Sequence, residues 1–171
     1  TMPETVDAYL KTGKYDVVTL THNETSTGLM NPIDSIAEII RKYPDVIWLV
    51  DTVSSLGGAK IEVDRLGIDV CISSSQKALA LPPGLALASI SQKAEERFNK
   101  IGHRGYYLDM LTLCEFIDKK DHQYSCTPSL SHMFAMDFQL DRILKEGIEN
   151  RFIRHIEMAE YVINWANHFF K

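Results

Sequence analysis

Apolar residues come in short blocks through the first half of the chain and at helical intervals through the second. The first block, Asp16 to Thr21, is rich in β-branched residues and predicts a short strand. Val46-Ile47-Trp48-Leu49-Val50 is apolar without interruption, the pattern of a strand buried on both faces of a parallel sheet. Between them Asn31-Pro32 predicts a helix start, with Asn as N-cap and Pro in the first helical position. Ile33, Ile36, Ala37, Ile39 and Ile40 keep helical spacing up to Lys42, and Pro44 ends the run. A further strand is expected from Val70 to Ser73. Pro82-Pro83-Gly84 then turns the chain into another extended piece, Leu85 to Ser91.

From Gln92 the rhythm becomes helical, predicting helices over Lys93–Lys100, Tyr107–Ile117, Ser131–Glu146 and from about Glu149 to Phe170. In the last helix Phe152, Ile156, Ala159, Ile163 and Ala166 define an inward stripe, and Arg151, Arg154, Glu157 and Glu160 are expected to face away. Met133, Phe134, Met136 and Phe138 read as packing positions, and Lys119 to Gln123 as a mobile loop. Strand, helix, strand at this spacing predicts an α/β fold, a mostly parallel sheet with flanking helices that ends in a long helix.

Composition narrows the function classes. The chain has 171 residues, enough for one substantial core, with ordinary apolar (45%) and charged (24%) fractions. A net charge of −5 without a Lys/Arg cluster argues against a nucleic-acid partner. No apolar run approaches the roughly 18 residues of a membrane span, and the N-terminus lacks the shape of a signal peptide. Cys71, Cys114 and Cys126 are odd in number and without CxxC spacing. No zinc site or disulfide framework is expected from them, and a cytoplasmic setting fits. The abrupt ends, Thr1-Met2 and a last helix with no Gly or Pro stop, are expected of a cut piece.

Three polar groups follow predicted strands, at the edge where open α/β sheets bind ligands. They are His22-Asn23-Glu24-Thr25-Ser26-Thr27-Gly28, Asp51 with Ser54-Ser55, and Ser73-Ser74-Ser75-Gln76-Lys77. Singly each reads as a turn, a cap or a solvated lysine. Together they hold what pyridoxal 5'-phosphate (PLP) needs: an amine for a Schiff base, a carboxylate for the pyridine nitrogen, and hydroxyl or N–H donors for the ring oxygen and phosphate. His22 is expected to be a hydrogen-bonded structural residue, and Ser54 and Ser55 to hold the loop after Asp51.

Thr21 to Gly28, Val50-Asp51-Thr52-Val53-Ser54-Ser55-Leu56-Gly57-Gly58, and Ser75-Gln76-Lys77-Ala78-Leu79 with Pro82-Pro83-Gly84 closely resemble the alanine–glyoxylate/serine–pyruvate aminotransferases. These are class V members of the fold-type I PLP enzymes. The resemblance, from about Tyr15 to at least Gly147, implies that Lys77 forms the Schiff base, that Asp51 pairs with the ring nitrogen, and that Thr25 and Gln76 approach the ring hydroxyl and phosphate side. It implies that Tyr124 and Thr127 reach the phosphate in the neighbouring subunit of a homodimer; capping of the helix near Ser131 is their alternative. The implied reaction moves an amino group between a small amino acid (alanine or serine) and a 2-oxo acid (glyoxylate or pyruvate).

By the same resemblance, residues 1–147 are part of a PLP-binding large domain, and 148–171 lead toward a small C-terminal domain. A Gly-rich phosphate loop and a ring-stacking aromatic are expected before residue 1. A class V lyase or cysteine desulfurase is the nearest alternative, disfavoured by Gln76 where those relatives usually carry histidine. A Rossmann-like nucleotide module lacks its glycine signature here, and an inert structural fragment is the third alternative.

Overall fold

The computed structural model describes residues 1–118 and 123–170. The first half runs α1 (Pro3–Leu10), β1 (Val17–Thr21), β2 (Asn23–Glu24), β3 (Leu29–Met30), α2 (Ile33–Ile40), β4 (Ile47–Asp51) and α3 (Val63–Leu66). It continues with β5 (Val70–Ser74), β6 (Ala86–Ile90), α4 (Gln92–Asn99), α5 (Met110–Asp118), α6 (Leu130–Glu146) and α7 (Ile148–Phe169). One four-stranded sheet has the order β1-β4-β5-β6. β1, β4 and β5 run parallel, and β6 returns antiparallel against β5. The mostly parallel α/β sheet is therefore present, and the Pro82-Pro83-Gly84 turn is what reverses the chain into β6.

α1 and α2 cover one sheet face. Ile36, Ala37, Trp48 and Val50 are completely buried there, with Leu10, Leu20 and Leu66 beside them. Burying side chains of this size contributes about 1.5–3 kcal/mol each before conformational entropy is counted. Asp69, just before β5, fastens the amino ends of the strands. Its buried carboxylate accepts from Trp48 N (2.9 Å) and Lys93 Nζ (2.8 Å) at one oxygen, and from Ser91 Oγ (2.8 Å) at the other. A buried carboxylate is tolerable only with such partners.

α6 makes a second, smaller contact. Met136 and Ile143 close over Leu79 and the flanking Leu81, Leu85 and Leu87. His132 seats on the Pro82-Pro83-Gly84 turn: Nε2 donates to Pro83 O (3.0 Å), so Nδ1 is the acceptor for Ser129 Oγ (2.8 Å). A Cβ at Gly84 would lie 2.4 Å from His132 Nε2, so the turn can only be glycine while this histidine stays in place.

Several expectations are corrected. Asn31 does not cap α2. Pro32 holds that position, and Asn31 spans the strand ends, its amide donating to Thr21 O and its N–H to His22 O (both 2.8 Å). Arg151 is the buried residue of α7 at 6% exposure, whereas Ile156 and Ile163 of the expected stripe are 57% exposed. Of the four residues read as packing on α6, only Met136 is buried; Phe134 and Phe138 face outward. The elements α1, α3 and the β2–β3 hairpin were not expected. The expected loop from Lys119 falls mostly outside the described residues, at 119–122.

Candidate cofactor site

Because β1, β4 and β5 are parallel, their carboxyl ends share one edge, with Thr21 opposite Asp51 and Asp51 opposite Ile72. The loops leaving those ends are knitted together. His22 N–H donates to Asp51 O (2.9 Å), and Thr52 N–H and Oγ1 both donate to Ile72 O (2.8 Å). Ser73 Oγ donates to Thr52 O (3.3 Å).

The first loop meets the second through side chains. Thr25 Oγ1 and Ser54 Oγ share a hydrogen bond of 2.6 Å at the exposed rim. Deeper, buried His22 hydrogen-bonds through Nδ1 to Ser55 Oγ at 2.9 Å. Burial pushes the His22 imidazole pKa down, only partly opposed by the Asp34 charge, so the ring is held neutral. His22 and Ser55 thus act as structural ties, as the sequence led us to expect.

Asp51 ends β4 on the face opposite the α1–α2 core. It borders a recess of about 180 Å³ with Thr19, Thr21, Leu49, Val70 and Ile72. Its Oδ1 accepts from Val53 N–H (2.8 Å), and Oδ2 has no hydrogen-bond partner among the described residues. Ser74, two residues beyond Ile72 on the same face, has a buried Oγ with no partner among the described residues.

Lys77 lies in a tight turn just past β5. Ser75 organises it: Ser75 Oγ donates to Pro82 O (2.7 Å), and Leu81 N–H donates to Ser75 O (3.1 Å). Ala80 N–H closes on Lys77 O (2.8 Å), and Ala80 takes φ +58°, a left-handed conformation costing a residue with a Cβ about 1–2 kcal/mol. Strain of this kind concentrates at working sites. Lys77 and Gln76 are exposed, and the Lys77 amine has no hydrogen-bond or ion-pair partner among the described residues.

The edge therefore assembles Thr25, Asp51, Gln76 and Lys77 on adjoining loops. The donor set suits PLP: an unengaged amine, a carboxylate with one free oxygen, an orphaned buried hydroxyl and rim hydroxyls. Tyr124, 59% exposed, and Thr127 make no side-chain hydrogen bond among the described residues, and the N-cap of α6 is Ser129. A larger open cavity of about 570 Å³ lies between the first two loops and α7, bordered by His22, Asn31, Ser54, Lys60, Phe152 and His155.

Sequence reasoning missed one residue at this edge. Arg151 reaches in from α7: Nε donates to Gly57 O (2.7 Å), Nη2 to Ala78 O (2.5 Å) and Nη1 to Glu146 Oε2 (3.0 Å). Arg154 holds both Glu146 oxygens as well (2.6 and 3.1 Å). Hydrogen bonding to Arg154, opposed by burial and helped by Arg151, draws the Glu146 pKa down to about 2. The sequence carried no signal for it, since Arg151 stands beside the apolar stripe of Phe152 and Ile156 at a position that reads as solvated.

The sequence profile described as Aminotransferase class-V matches residues 2–164, and the chain belongs to that family. The family consists of PLP-dependent enzymes. An uncharacterized aminotransferase of Methanocaldococcus jannaschii is 46% identical over 162 residues, 92% of this chain and 41% of its own length. The alanine–glyoxylate aminotransferase of Oryctolagus cuniculus is 39% identical over 84% of this chain and 37% of its own. The crystal structure of an alanine–glyoxylate aminotransferase from Nostoc sp. superposes with a TM-score of 0.89 at 31% identity, covering 98% of this chain and 45% of that one. The chain thus spans about two-fifths of the length of the curated relatives it matches.

Proposed function

We infer that this chain is the central part of a PLP-dependent transaminase acting on a small amino acid, alanine or serine, and a 2-oxo acid, glyoxylate or pyruvate. The observation carrying this reading is that Asp51 ends β4 and Lys77 follows the adjacent parallel strand β5 by three residues, within a chain of the class-V aminotransferase family. The likeness to alanine–glyoxylate aminotransferases supports the substrate class.

In this reading Lys77 would hold the cofactor through its amine, and the same amine would serve as the base that moves the proton of the amino acid's α-carbon. Asp51 would keep a proton on the ring nitrogen, its one unengaged oxygen being available for that role. Thr25, with Ser54 behind it, and Gln76 orient the ring oxygen and phosphate. PLP, when bound, supplies an electron-withdrawing ring that acidifies the amino acid's α-C–H.

Tyr124 and Thr127 complete the site of a second subunit in a homodimer, a role that suits their exposure and their lack of side-chain partners among the described residues. Residues 1–147 belong to the cofactor-binding large domain, and 148–171 lead toward a smaller domain. A cytoplasmic setting accords with three free cysteines.

The test uses the full-length protein that contains this chain. Purified with PLP, it should show the visible absorbance of a lysine-bound cofactor, and borohydride should fix the label on the Lys77 peptide. Lys77→Ala should lose both. Asp51→Ala should retain weakened binding and lose about 100-fold or more in turnover, since the protonated ring is the electron sink. Failure of the wild-type protein to take up PLP would sink the reading.

A further inference from the structure

The two residues on which the site depends lie on separate loops, and something must fix their separation. Strand pairing holds Asp51 against Ile72, but Lys77 stands beyond the end of β5, where the ladder no longer constrains it. The backbone that continues past each residue converges again on one side chain.

Arg151 binds the carbonyl of Gly57, in the loop that leaves Asp51, and the carbonyl of Ala78, the residue after Lys77. The surroundings leave this contact little slack. Gly57 has φ +84°, and a Cβ there would come within 2.9 Å of Leu79 Cδ2. A Cβ at Gly58 would lie 3.1 Å from Ala78 Cβ and 3.2 Å from His155 Cδ2. His155 in turn donates from Nδ1 to Arg151 O (2.8 Å). The two loops touch with no room for side chains, and one guanidinium spans both. Glu146 meets the remaining arm of the fork and compensates the buried charge.

Arginine is the side chain suited to this task. Its planar, rigid fork reaches two carbonyls and a carboxylate in fixed directions, whereas an ammonium is a single flexible point charge. Buried as it is, the clamp is not traded for water.

We propose that Arg151 is a positioning residue that sets the distance between the Asp51 carboxylate and the Lys77 amine by clamping the loops behind them. It touches neither substrate nor cofactor. The site it serves is the one inferred above, but the clamp itself is a property of the chain without cofactor. Misplacing a reacting group by about 1 Å costs on the order of 100-fold in rate, so a clamp this close to both groups has a measurable effect.

The experiment compares full-length wild type with Arg151→Lys and Arg151→Met. Without PLP, hydrogen exchange should quicken at least about tenfold at the Gly58 and Ala80 amides in Arg151→Lys, while core amides of β4 stay protected. With PLP, kcat for alanine and glyoxylate should fall about 10- to 100-fold with KM changed far less. The pH midpoint of the visible absorbance should also move, because the amine and the carboxylate no longer share a fixed spacing. Arg151→Met should exceed Arg151→Lys in each respect.

Unchanged exchange and an unchanged midpoint in a folded Arg151→Lys protein would overturn the proposal, since charge alone would then suffice. Loss of folding in both variants would overturn it too, making Arg151 a stability residue. Quickened exchange in a wild-type background that takes up no PLP would leave the clamp standing and remove the functional reading instead.

Discussion

The two hydrophobic centres of the molecule are built to different standards. Around Trp48 the packing is closed: α1, α2 and one sheet face bury each other, and several side chains there have no exposed surface. Around Met136 only Leu79, Met136 and Ile143 are buried, and the outer sides of α6 and α7 show Phe134, Phe138, Tyr161 and Trp165 to solvent. Sequence pattern alone does not separate these cases, because helical spacing of apolar residues says that a face is to be covered without saying by what. The first centre is completed by neighbours within the chain. The second leaves most of its outer side exposed.

Mutations can sharpen that contrast. Trp48→Ala should cost the most, about 3–5 kcal/mol, because it removes the largest fully buried side chain; chemical denaturation measures it. Met136→Ala should cost about 2 kcal/mol by the same assay, since the few residues around it can partly collapse into the gap. A loss as large as that of Trp48 would show the second centre to be as tight as the first.

Acid should separate the regions as well. His22 is neutral in the fold and titrates near 6.5 when unfolded, so its contribution is complete above that pH and is lost as the pH falls below it. Glu146 ionises from 4.5 in the unfolded chain and from about 2 in the fold, so its contribution is present above about 4.5 and disappears on approach to about 2. Thermal melting across pH should therefore show two declines, the first absent in His22→Phe and the second reduced in Glu146→Gln, the hydrogen-bonded carboxyls of Asp7, Glu24 and Asp109 supplying the rest. The smallest effect is expected of Phe138→Ser, at 64% exposure: within about 0.5 kcal/mol of wild type. A larger change would mean that copies of the chain cover each other's α6 in solution.

The strands β1, β4 and β5 were legible because continuous β-branched and apolar runs have few other uses, and the polar residues behind them marked the edge at which we propose the cofactor site. The β2–β3 hairpin was not legible, since strands of two residues carry no period. α1 lacked a polar cap, having Met2 where a Ser or Asp would announce a start. Arg151 was misread for a sounder reason: charged residues are seldom buried, and only the tertiary fold reveals two backbone carbonyls and a carboxylate waiting for it. Asn31 was likewise assigned its commonest local role when a longer-range bond to Thr21 engaged it.

The clamp has a consequence for how the protein is made. Arg151 lies 94 residues after Gly57 and 73 after Ala78, so both loops leave the ribosome long before the side chain that ties them. At roughly 5–20 residues per second, the strand edge waits about 5 to 20 seconds with its loops unfastened. The strands β1, β4 and β5 precede the clamp in synthesis, and the register of the two loops is decided only when α7 arrives.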